Sequence, residues 1–130
     1  IVMKQGVAEA LKSLKPGAKW ICDGNVYSGI TWLEGDGGQT IPTEEQVTSK
    51  VAELNTAESM RLLRVERDKR LTACDWVITK ATETGGTVSD DWKTYRQALR
   101  DLPSTQTPVM ENPVVSMVGI TSVTWPTKPS

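Results

Sequence analysis

The residues best suited to chemistry are few, and their spacing argues against catalysis. Histidine is absent from the 130 residues, which removes the commonest general base and the commonest metal ligand. Cys22 and Cys74 are far apart and form no zinc pattern. Both are expected to be reduced, half-buried apolar side chains and not a disulfide. The run Gly35-Asp36-Gly37-Gly38 lacks the lysine and the following helix of a phosphate loop. The acidic pairs Glu44-Glu45 and Asp90-Asp91 suit the first turns of helices, where carboxylates meet the positive end of the helix dipole; a bound cation is the alternative for the second pair. No catalytic residue, cofactor site or metal site is assigned.

The other polar side chains with recognisable spacing lie between Met60 and Pro103. Arg61, Arg64 and Arg67 recur every three residues, with Lys69 and Arg70 beside them. A basic helix face can contact phosphates. Here Glu66 and Asp68 are interspersed, and the chain's 15 basic and 16 acidic residues leave a net charge of −1. That balance favours a solvated face or an arginine–carboxylate network and argues against nucleic acid. Two Asp-Trp pairs, Asp75-Trp76 and Asp91-Trp92, mark two helices. In the second, Trp92, Tyr95, Leu99 and Leu102 fall on one apolar face with Arg96 and Arg100 on its flank. An antiparallel hairpin of 60–76 against 89–102, joined by a polar loop over 79–88, would bring Arg64 or Arg67 towards Asp101 and Arg96 or Arg100 towards Asp75. The planar guanidinium fork suits such pairs. Trp76, Trp92, Tyr95 and Trp125 belong either to the hairpin's core or to a contact surface, with core favoured for Trp92 and Tyr95.

The elements that must position these residues read as α+β. Apolar spacing at Val7, Ala10, Leu11 and Leu14 predicts a short helix over 4–14, stopped by Lys15-Pro16-Gly17. Asp23-Gly24, between runs rich in Trp, Ile, Val and Tyr, predicts a β-hairpin. Trp20 and Cys22 would face one way on its first strand, and Val26, Ile30 and Trp32 on its second. Thr43 and Gln46 form a capping box for a long helix of about 30 residues, with Asn55-Thr56 its weakest point. Val47, Val51 and Leu54 stripe its first half; Leu63, Leu71, Cys74 and Val77 are core candidates in its second. Ser89 caps the next helix and Pro103 follows its stop. The division is 1–42 (short helix and β-hairpin), 43–103 (long central helix and C-terminal helical hairpin) and 104–130 (extended Pro-rich tail). In that tail Pro113–Ile120 supplies a short strand, and Trp125-Pro126 an extended anchor.

Composition sets further bounds. At 38% hydrophobic, with no Phe and five Trp, the core is thin and indole rings dominate its aromatic packing; Trp favours core edges and interfaces. No apolar run approaches the roughly 20 residues of a transmembrane helix, and the first residues lack the apolar stretch of a signal peptide. Ile1 is not an initiator methionine, which leaves room for residues upstream.

Three ordered blocks resemble the phage tail assembly chaperone family. Arg64, Arg67, Leu71, Asp75 and Trp76 match RxxRxxxLxxxDW. Trp92, Tyr95, Arg96, Gln97, Ala98, Leu99, Arg100, Asp101 and Pro103 match WxxYRQALRDxP. Trp125, Pro126 and Pro129 match the closing WPxxP. The resemblance covers roughly the C-terminal half. It implies a bacteriophage protein that binds a tail fibre or other tail protein, expected to be trimeric, and helps it fold, trimerise or attach. It also implies action in the host cytoplasm during assembly. The competing expectations are a permanent virion part at the fibre tip or baseplate, and a small nucleic-acid binder using the Arg61–Arg70 face. Self-association is a further possibility. The link from Pro103 to Trp125 is longer than the family's spacer, so no partner site is transferred onto its apolar insert, 113–120.

Overall fold

A computed structural model describes residues 4–33, 40–112 and 116–130. The architecture is α+β, with helices α1 (Val7–Leu14), α2 (Glu44–Ala73), α3 (Trp76–Thr84) and α4 (Asp90–Thr105). Strands β1 (Trp20–Cys22) and β2 (Ile30–Trp32) form one antiparallel pair, and β3 (Val109–Met110) and β4 (Ile120–Thr121) another. The chain divides into two compact units, essentially Met3–Glu58 and Ser59–Ser130, with the boundary inside α2.

In the first unit, Val7, Ala10, Leu11 and Val47 are buried, with Trp20, Cys22, Ile30 and Trp32 packed around them. Trp20 pairs with Trp32 and Cys22 with Ile30, so one hairpin face meets α1 and α2. The hairpin differs from its sequence reading. Asp23-Gly24 does not close a two-residue turn; a loop with a 3-10 turn at Tyr27–Gly29 joins the strands. The Asp23 N–H donates to the Gly29 carbonyl at 3.0 Å, and a side chain at position 29 would collide with the Asp23 carbonyl. The extra loop residues leave Val26 half-exposed and off the inward face. They also let Asn25 accept the Val7 N–H at 2.8 Å, filling the cap that Gly6, without a side chain, does not supply to α1.

The capping box at α2 forms as read: Gln46 accepts the Thr43 N–H at 2.9 Å and Thr43 Oγ1 accepts the Gln46 N–H at 3.2 Å. The helix runs 30 residues without a break. Asn55, the expected weak point, bonds outward instead: its side chain accepts the Gln5 N–H at 2.7 Å and donates to the Gln5 carbonyl at 2.9 Å.

In the second unit, Leu62, Leu63, Cys74, Tyr95, Leu99, Leu102, Met110 and Ile120 are buried together. Burying a Leu or Phe-sized side chain contributes about 1.5–3 kcal/mol. Three differences from the sequence reading stand here. Residues 79–84 are helical, not loop, so α3 intervenes between α2 and α4. Pro103 lies inside the last turns of α4 and does not stop it. Of the described residues 116–120, Ile120 alone joins a strand, paired with Met110; 113–115 lie outside the described residues.

Candidate functional site

The site is built where α2 ends. Cys74 and Asp75 turn the backbone through i→i−3 bonds, from the Cys74 N–H to the Leu71 carbonyl and from the Asp75 N–H to the Thr72 carbonyl, both 3.2 Å. The chain then re-enters a helix at Trp76. The hydroxyls of Thr82 and Thr84 donate to the carbonyls four residues earlier at 3.0 and 2.8 Å. The threonines, whose sequence had suggested a loop, thus satisfy their hydroxyls within the helix. Gly85, at φ +68°, ends α3 in the left-handed conformation. Ser89 then caps α4, accepting the Trp92 N–H at 3.4 Å.

Arg96 clamps this junction. One guanidinium nitrogen donates to the Leu71 carbonyl at 3.1 Å and to the Cys74 sulfur at 3.0 Å, and the other contacts Asp75 Oδ1 at 3.0 Å. Its donor thereby adds to the Leu71 carbonyl, which already accepts the Cys74 N–H, and so ties α4 to the turn that ends α2. Burial disfavours the charge of Arg96, but bonds to Cys74 and Asp75 outweigh it and raise its pKa. Of the two pairings read from sequence, that of Arg96 or Arg100 with Asp75 forms, through Arg96, and that of Arg64 or Arg67 with Asp101 does not. Arg100 instead bonds to Gln97 at 2.8 and 3.2 Å, and Asp101 accepts from the Gln97 amide at 2.9 Å. Arg67 pairs with its neighbour Asp68 at 2.9 Å, and Arg64 is exposed. The reason is geometric: with α3 interposed, the helix ends do not meet in the register of a simple hairpin. The short intrahelical partners win.

Beside the clamp, three aromatic rings form a ladder from solvent to core. Trp76 meets Trp92 edge to face, with centroids 5.8 Å apart, and Trp92 meets Tyr95 the same way at 5.9 Å. Trp76 is 52% exposed, while Tyr95 is 6% exposed. Trp92 is half-buried against the core. The closing segment lies on the same unit. Trp125 packs against the core, and the Arg70 guanidinium sits 4.2 Å over its ring. The Thr124 N–H donates to Gln106 at 2.9 Å. Pro126 borders several open grooves, among them one of about 570 Å³ with Trp92, Tyr95 and Pro129 in its lining, and one of about 340 Å³ with Arg70, Cys74 and Tyr95.

On the Arg61–Arg70 face, Arg67 pairs with Asp68, and Arg70 meets both Glu66 at 3.1 Å and Trp125. Sequence reasoning missed Leu62, Cys74's bond to Arg96, and Ser59. The buried Ser59 hydroxyl donates to the Pro108 carbonyl at 3.1 Å and fixes the approach to β3. Only the apolar context of Leu62 was visible beforehand. Among the described residues, no group of His, Cys, Asp and Glu could hold a metal ion, and no helix is long and apolar enough to cross a membrane.

A family model described as phage tail assembly chaperone protein matches residues 60–130. No curated protein and no solved structure matches the chain.

Proposed function

The chain belongs to the phage tail assembly chaperone family, and on that premise we propose that it binds a tail fibre subunit through the aromatic ladder and the grooves beside Pro126. It acts during assembly in the host cytoplasm, covering apolar fibre surface until the subunits trimerise, and then leaves. The work is protein–protein binding and involves no catalysis. Trp76 carries the reading: a 52% exposed indole, supported from behind by Trp92, is a rigid anchor of the kind that dominates interfaces. Trp125 and Pro126 border the contact, and Arg96 with Asp75 sets the angle at which Trp76 is offered.

Nucleic-acid binding is disfavoured by the pairing of Arg67 and Arg70, because each internal ion pair removes a cation from phosphate contact. Co-expression with the fibre subunit tests the proposal. The wild-type chain is expected to raise the yield of soluble fibre trimer, and Trp76→Ala is expected to lose most of that gain while remaining folded. An equal yield with and without the wild-type chain would contradict it.

A further inference from the structure

A third groove, of about 550 Å³, lies in the first unit, outside the residues matched by the family. Lys12, Lys15 and Lys19 are the charged residues that line it, and Pro16, Trp20 and Leu33 are its larger apolar ones. The last turn of α1 forms one wall. The other is the open end of the hairpin, where the Leu33 N–H donates to the Lys19 carbonyl at 3.0 Å. Lys12 and Lys15 stand at the negative end of the α1 dipole, which by itself accounts for two of the three cations. Lys19 has no such account, and Leu33 beside it is 39% exposed. The combination is a cationic rim around an apolar floor.

We propose that this groove binds an acidic polypeptide segment of another protein, whose large apolar side chain enters between Trp20 and Leu33 while its carboxylates face the three lysines. Charge complementarity selects the occupant. Nucleic acid fits less well for two reasons. The rim is lysine throughout, without the guanidinium forks that hold phosphate at two points. Trp20 packs against the core of its unit, which takes ring surface that base stacking would need. The chain would thus hold two different ligand segments, one on each unit.

NMR titration of the full-length, isotope-labelled chain tests this with a short peptide alternating glutamate and leucine. Saturable shifts are expected at Lys12–Trp20 and Leu33, weakening as salt rises. Replacing the peptide's glutamates by glutamines, or its leucines by serines, is expected to weaken binding about tenfold or more. The Lys12→Glu/Lys15→Glu/Lys19→Glu variant is expected to lose binding with its indole signals unchanged. Should that variant misfold, the corresponding triple glutamine variant gives the same readout. No saturable shift at these residues, shifts indifferent to lysine replacement, or equal or tighter binding of oligothymidylate at the same residues would overturn the proposal. So would concentration-dependent self-association that the lysine variants abolish, because the occupant would then be a second copy.

Discussion

At the scale of single residues, Arg96 does the most positioning. It spends three contacts on one junction, and its side chain is only 12% exposed while Asp75 is 59% exposed. The exposed carboxylate makes the ion pair itself a small contributor, so the bonds to the Leu71 carbonyl and Cys74 carry most of the effect. Arg96→Ala should lower stability by about 1–3 kcal/mol in urea denaturation, and Arg96→Lys should recover part of it. A loss indistinguishable from zero for Arg96→Ala would contradict the clamp. The raised pKa of Arg96 means its contribution is fully present below the unfolded-state value and fades only as pH rises through the folded one. Both lie far above neutrality, so the difference between wild type and Arg96→Ala should not titrate with Arg96 across the neutral range. Trp76 behaves differently. Its fold contribution is its edge-to-face contact with Trp92, about 0.5–1.5 kcal/mol, which is why its substitution separates binding from folding.

At the scale of elements, the junction of α2, α3 and α4 depends on a single left-handed residue. Gly85→Ala places a Cβ on a backbone at φ +68° and should cost about 1 kcal/mol, read as a lower denaturation midpoint. An unchanged midpoint would mean that α3 does not end there in solution. Most helices were legible from sequence. The Thr43–Gln46 box, the stripe at Val7, Ala10 and Leu11, and the face of Tyr95, Leu99 and Leu102 are periodic and capped, and periodicity survives folding. α3 was not legible, because Thr79, Thr82 and Thr84 read as loop by propensity, and only the folded backbone offers their hydroxyls the carbonyls four residues back. The hairpin loop was misread for a similar reason. Asp-Gly is a turn signal, but the cap that Asn25 provides to Val7 joins residues 18 apart, and the loop is closed by Asp23 with Gly29, outside the Asp-Gly pair. The two-residue ladder of Met110 with Ile120 is too short to leave any sequence period.

At the scale of the whole molecule, the chain combines a family-matched unit with a second unit outside the matched residues. Each has a separate buried cluster, one around Leu11 and Val47, the other around Leu63 and Leu99. The candidate site was partly legible: the aromatic residues and Asp75–Arg96 came from spacing and resemblance, whereas the split between exposed Trp76 and buried Tyr95 required the packing. Thin hydrophobic content fits such a molecule, since an exposed anchor is of use to a protein that engages a partner. The help in tail assembly proposed above is transient. Quantitative mass spectrometry of infected-cell lysate and of gradient-purified phage particles tests it most directly. The chain is expected to be abundant in the lysate, in complex with fibre subunits, and absent from finished particles. A fixed, near-stoichiometric amount relative to fibre in the particles would contradict departure and make the chain a structural part of the tail.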